Sequence, residues 1–234
     1  MEHVYILGIS GSPRHGNTEI LVKEALEAAQ GLTGVSTEYV SLADYELKPC
    51  ESCGLCFGFV KGATEEVICY QHQDADPIIK KMLKAHGIVM GSPVYTWDVS
   101  ARLKCLMEKC APLCPGPATS ISYRFRHKVV GAIAVAAGLI EGQESVAHTI
   151  WRWAMALGMI PAAAVATLDD PFPGSSLLGG LASTSHSHNL LSPSAVSAEV
   201  TRTNPPLLGI QNMKSARNLG RNVAHLARVI TNGL

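Results

Sequence analysis

The sequence predicts an α/β fold built on an open, five-stranded parallel sheet with helices on both faces. Short apolar runs alternate with stretches of helical apolar spacing along most of the chain. The runs are nearly continuous in apolar character, as parallel strands covered on both faces require. Polar or glycine-bearing turns follow the first, third and fourth runs, and ligands gather at such carboxyl ends.

The elements follow in order. Val4-Tyr5-Ile6-Leu7-Gly8-Ile9 reads as the first strand, and Ile20, Leu21, Ala25, Leu26 and Ala28 mark one helical face after it. Residues 37–42 form an edge-type second strand, followed by a cysteine-rich loop over 50–69. Ile78, Ile79, Met82 and Leu83 place a helix at 76–85, and residues 87–90 are a buried strand. A helix over 99–113, a strand over 129–136 and a helix over 144–157 ended near Gly158 come next. A fifth strand is expected at 162–168 and a closing helix at 213–231. Residues 169–206 are rich in Pro, Gly, Ser, Thr and Asn, with little periodicity, and are too long for an ordinary connection. That stretch reads as an irregular surface insertion, with a lid or subunit-contact loop carrying His186 and His188 as the alternative.

Composition narrows the function classes. A chain of 234 residues, 47% hydrophobic and 16% charged, suits one globular domain over 1–234 with an elaboration. The formal net charge is zero and no basic run is present, so nucleic acid is not an expected partner. No uninterrupted apolar stretch reaches the ~18 residues of a membrane span, and the expected compartment is the cytoplasm.

The stretch from Ser10 to Thr18, Ser-Gly-Ser-Pro-Arg-His-Gly-Asn-Thr, carries the most chemistry. It links a strand to a helix start, where free N–H groups and the helix dipole attract anions. Ser10, Ser12, Asn17 and Thr18 offer hydrogen bonds and Arg14 a charge-assisted one; the alternative is an ordinary turn whose Ser and Asn cap the helix. Neither Gly-x-x-x-x-Gly-Lys nor Gly-x-Gly-x-x-Gly is present, which argues against a nucleotide triphosphatase or a dinucleotide fingerprint. A loop of this kind suits a terminal monophosphate such as that of FMN.

With Gly11 to Thr18 and a second motif, Gly91-Ser92-Pro93-Val94-Tyr95, the chain resembles the flavodoxin-like NADPH-dependent FMN reductase family. The resemblance implies that the first loop, Pro13 included, holds the FMN phosphate and that Pro93, Val94 and Tyr95 neighbour the isoalloxazine ring. Trp97 is either a further flavin neighbour or a core or interface aromatic. Gly138 lies in the turn matching the family's third flavin-side loop. Trp151 and Trp153 read as core or oligomer-contact residues.

Cys50-x-x-Cys53-x-x-Cys56 is followed by Cys69. Thiols at this spacing can converge on one centre, and iron–sulfur clusters are commonly bound this way. Zinc, a dithiol redox pair and unligated thiols are the alternatives. Iron–sulfur flavoproteins, a branch of the same family, carry such a motif between the second strand and the helix before Gly-Ser-Pro-Val-Tyr. Similarity to them implies a 4Fe–4S cluster on Cys50, Cys53, Cys56 and Cys69, with a wider gap before the fourth cysteine. Cys105, Cys110 and Cys114 lack cluster spacing and read as buried or helix-end thiols.

No Ser–His–Asp order, His-x-x-x-His or paired carboxylate site stands out, so no side chain is assigned a catalytic role and the cofactors carry the chemistry. The expected function is an FMN-dependent oxidoreductase passing electrons between cluster and flavin. Ferredoxin or NAD(P)H is the expected donor, and the resemblance implies a homo-oligomer, a homodimer or homotetramer. The alternatives are a cluster-free NAD(P)H-dependent FMN or quinone reductase and a non-catalytic flavodoxin-like binding protein.

Overall fold

Alternation along the strands decides how the layers pack. In β1 (Val4–Ser10), Val4 and Ile6 face one side of the sheet while Leu7 and Ile9 face the other, and all four are fully buried. The computed structural model describes residues 3–57, 68–113, 124–137, 141–165, 180–183 and 209–233. After β1 come α1 (Asn17–Gln30), β2 (Val35–Ser41), α2 (Asp76–Lys84), β3 (Gly87–Pro93) and α3 (Ala101–Lys109). They are followed by β4 (Val129–Ala136), α4 (Gln143–Ala156), β5 (Ile160–Ala162), β6 (Gly180–Ser183) and α5 (Gly209–Gly233).

The strands pair in parallel in the order β2-β1-β3-β4-β5, with β6 also paired to β4. Helices α1 and α5 pack on one face, and α2, α3 and α4 on the other. The chain is therefore flavodoxin-like, and its strand order reverses between β1 and β3, where such sheets bind ligands.

Two expectations change in detail. The fifth strand was expected at 162–168 but runs over Ile160–Ala162, and β6 lies inside the 169–206 stretch expected to be irregular. The cause is competition for one edge. β4 pairs through Val129–Gly131 with β5 and through Ile133–Ala136 with β6, so Gly180–Ser183 occupies the register an extended β5 would need. The fifth position of the sheet is thus built from two segments. The remaining residues of 166–206, including His186 and His188, lie outside the described residues.

Ser100 knots the carboxyl ends of β1 and β3 together. It is the N-cap of α3, its Oγ accepting from Leu103 N at 3.2 Å while donating to Gly11 O. Its own N–H donates to Ser92 Oγ at 3.0 Å, and Gly11 N donates to Gly91 O at 2.7 Å. On the opposite face, Gly220 lets α5 cross α1 at backbone contact, since a Cβ there would lie 1.9 Å from Ala25 O.

Two stability measurements test this packing. Gly220→Ala should destabilise, although Gly→Ala in a helix ordinarily gains about 1 kcal/mol. Overpacking against an immovable carbonyl costs about 1–3 kcal/mol or more and should reverse the sign of the urea-midpoint shift. Ser100→Ala should cost about 2–4 kcal/mol, combining a lost cap of about 1 kcal/mol with a stranded buried carbonyl at about 1–3 kcal/mol. A change below about 0.5 kcal/mol, the range of ordinary surface substitutions, would contradict the knot.

Candidate functional site: three loops and a cysteine cavity

The loops after β1, β3 and β4 converge at the carboxyl ends of the strands, as the sequence motifs require. In the first, the N-cap of α1 is Gly16 and no side chain caps the helix. Ser10 Oγ and Asn17 Oδ1 are buried without a hydrogen-bond partner. The Tyr39 hydroxyl stands near Ser10 and Ser41 yet meets hydrogen-bond geometry with neither, and burial pushes this phenol up to about 12. Thr18 is buried, while Pro13 and Arg14 are exposed. The Ser12 hydroxyl is spent inside the loop, donating to Arg14 O at 2.6 Å and accepting from Arg14 N at 3.2 Å. It shapes the turn rather than pointing out of it.

His15, to which the sequence assigned no role, is pinned in the structure. Its Nδ1 lies 2.6 Å from Glu19 and its Nε2 3.1 Å from Asp44, and the Glu19 contact holds the imidazole above its usual value. The pair with Asp44 joins the loop to the turn after β2, an interaction too distant in sequence to be read there.

The second loop continues β3. Pro93 and Val94 are half-buried, and Val94 N donates to Val135 O at 2.8 Å, tying the loop to β4. Tyr95 and Asp98 then close a two-residue turn by reciprocal backbone hydrogen bonds of 2.9 and 3.1 Å. Thr96 and Trp97 fill its corners at φ +49° and +61°. Turns of this type favour Asn-Gly, and left-handed strain costs about 1–3 kcal/mol per residue. The strained turn leaves Trp97 71% exposed and Tyr95 41% exposed. Gly142, at φ +98°, supports the turn from the third loop, since a Cβ there would lie 2.8 Å from Trp97 Cα. Gly138 lies outside the described residues. Trp153 belongs to the core, donating from Nε1 to Met107 O at 3.1 Å and packing edge-on against Phe125.

The cysteines form a separate site. Cys50, Cys53, Cys56 and Cys69 all line one cavity of about 420 Å³, with Glu108 and Lys109 on its α3 side. Burial pushes the Cys56 thiol up, and the other three thiols push it further, so the four sulfurs feel one another. Among the described residues no three His, Cys, Asp or Glu converge tightly enough to hold a single metal ion. A four-iron cluster takes one thiolate per iron, so its ligands surround a volume rather than a point.

Backbone hydrogen bonds fix both segments of the site. Cys50 N donates to Glu108 at 3.3 Å, while Ile68 N and Cys69 N donate to the Asp76 carboxylate at 2.9 and 3.1 Å. Ser52 N and His72 N point at the sulfurs of Cys50 and Cys69, each at 3.4 Å. Asp74 accepts from Lys48 N at 2.6 Å and pairs with Lys109. Burial opposes the charge on Asp74, but the Lys109 ammonium prevails and holds that carboxyl below its usual value. The Lys109–Asp74 and Glu108–Cys50 pairings were missed in the sequence because their members stand 35 and 58 residues apart. Ser100 was missed as well, although a serine just before a helix is a legible cap signal: the expected helix over 99–113 took it inside. Cys110 is buried and its thiol donates to Leu106 O, Cys105 is half-buried, and Cys114 lies outside the described residues.

Residues 4–170 match the NADPH-dependent FMN reductase family. An iron–sulfur flavoprotein from Methanocaldococcus jannaschii is 45% identical over 156 residues, which is 66% of this chain and 74% of that relative. One from Methanosarcina thermophila is 34% identical over 156 residues, covering 66% of this chain and 75% of its own. The solved flavone reductase superposes with a TM-score of 0.61 at 17% identity, over 99% of this chain and 65% of its own, a likeness of fold. No helix among the described residues is long and apolar enough to cross a membrane. With its 2-1-3-4-5 sheet and two motif loops, the chain belongs to the NADPH-dependent FMN reductase family, as a flavin-dependent oxidoreductase of the iron–sulfur flavoprotein branch.

Proposed function

We propose that this protein is an electron-transfer flavoprotein that holds FMN at the β1, β3 and β4 loops and a 4Fe–4S cluster in the cysteine cavity. The observation that carries the reading is the convergence of Cys50, Cys53, Cys56 and Cys69 on one cavity of the same chain that carries the flavin motifs. When bound, the cluster supplies one-electron chemistry and the flavin both one- and two-electron chemistry.

The residues fit these roles. The unpartnered Ser10 hydroxyl and the uncapped start of α1 supply the donors a phosphate needs, with Asn17 and Thr18 beside them and Arg14 free to add charge. Ser12 and Pro13 hold the loop's shape. Pro93, Val94, Tyr95 and Trp97 offer a rigid, partly apolar cradle, with Gly138 on the third loop. The N–H groups of Ser52 and His72 aimed at sulfur raise the reduction potential of a cluster bound there. The electron donor is a ferredoxin-like protein or NAD(P)H, and the protein works as a homodimer or homotetramer.

Two experiments test the assignments. Titrating flavin-free protein with FMN should show the Ser10→Ala/Asn17→Ala double variant binding at least about 100-fold more weakly, since both side chains carry a buried, unpartnered polar atom and hydrogen bonds serving a charged group are worth about 1.5–3 kcal/mol each. Riboflavin binding should change little, and equal FMN affinity in both proteins would overturn the loop assignment. In anaerobically prepared protein, Cys53→Ala should lose iron and the broad iron–sulfur absorbance yet keep FMN, whereas Cys105→Ala keeps both. Stoichiometric zinc in place of iron would instead establish a structural site.

A further inference from the structure

Lys109 is the only Lys or Arg among the described residues lining the cysteine cavity. It stands in the last turn of α3 with its side chain only 1% exposed. A buried ion pair is weak evidence for stability, because desolvation offsets the Coulomb attraction. An ammonium kept here therefore calls for a further reason.

Its bonds reach both cysteine-bearing segments. The amine donates to Asp74 and, at 3.3 Å, to His72 O, three residues after Cys69. Asp74 in turn accepts from Lys48 N at 2.6 Å, two residues before Cys50. Besides the four thiols, the other charged or titratable groups lining the cavity are Glu51, Tyr70, His72 and Glu108, with His72 Nε2 lying 3.0 Å from Glu51. Asp76 stands behind the second segment, held by Ile68 N and Cys69 N. Carboxylates thus surround a cavity already lined by four thiols, and Lys109 is the fixed cation that offsets them.

We propose that Lys109 is the positioning residue of this cavity, joining its two cysteine segments and raising the reduction potential of the cluster it holds. The inference rests on the 4Fe–4S reading of the cavity. Cluster reduction adds one negative charge with no bond made or broken. A buried cation at the wall stabilises that added charge, and removing it also leaves Asp74 uncompensated. Both effects push the potential down. Neutralising Asp74 instead leaves the ammonium unpaired and pushes the potential up.

Anaerobic redox titration of cluster-loaded protein, followed by electron paramagnetic resonance, tests this. Lys109→Met should shift the cluster midpoint to more negative values, Lys109→Arg should restore it toward wild type, and Asp74→Asn should shift it to more positive values. Lys104→Met, an exposed lysine on the same helix, should leave it unchanged. A purely structural strap predicts loss of stability in Lys109→Met and Asp74→Asn without shifts of opposite sign, and that result would overturn the proposal. Should Lys109→Met fail to retain iron, Asp74→Asn and Lys109→Arg decide the sign alone. Wild-type protein without iron would overturn the reading of the cavity itself, whereas iron present with unmoved midpoints would overturn only the role of Lys109.

Discussion

A single serine hydroxyl holds the two halves of this protein's chemistry in register. Ser100 accepts the N–H that starts α3 and donates to the carbonyl of Gly11, while its own N–H reaches Ser92. The phosphate-type loop, the strand end before Tyr95 and the third helix therefore share one fixed origin. From that origin α3 runs nine residues, about 13.5 Å at the ordinary helical rise. At its far end Glu108 holds Cys50 N and Lys109 holds the segment after Cys69. A rigid helix thus sets the distance between the flavin-type loops and the cysteine cavity, and neither site can move far without disturbing the other.

Much of the fold was legible because the central strands are covered on both faces. Residues 129–136 read as a continuous apolar run, and β4 occupies the same residues, all buried. The helix expected over 99–113 is shorter than its pattern suggested: α3 covers Ala101–Lys109, and Pro112, a stop signal the reading passed over, falls in the single tight turn that follows. The fifth strand was misread for a different reason. The run from Ala162 to Leu168 has the composition of a strand, but composition does not report whether a hydrogen-bonding edge is free. The far half of β4 is already paired with Gly180–Ser183, a segment whose neighbours carry little pattern.

The candidate site divides along the same line. Local signals survived in the sequence: the spacing of Cys50, Cys53 and Cys56, the strand–loop–helix context of Ser10 to Thr18, and the motif ending at Tyr95. Long-range partners did not. Nothing near Lys109 announces Asp74, and nothing near His15 announces Asp44, because each pair is brought together only by the sheet. Residue type also fell short of role at Ser12, whose hydroxyl folds its own loop. The left-handed Thr96 and Trp97 run against their own conformational preference. Conflict of this kind is characteristic of functional loops, where a fixed presentation of one side chain outweighs local stability.

The central claim is that the cysteine cavity and the flavin loops act on the same electrons. Stopped-flow bleaching of the flavin by a reduced ferredoxin, under anaerobic conditions, tests it most directly. Cluster-loaded wild-type protein should reduce its flavin faster than the same protein stripped of iron by a chelator. Equal rates in the two preparations, at equal FMN content, would contradict the account and leave the cavity a structural element of a simple flavin reductase.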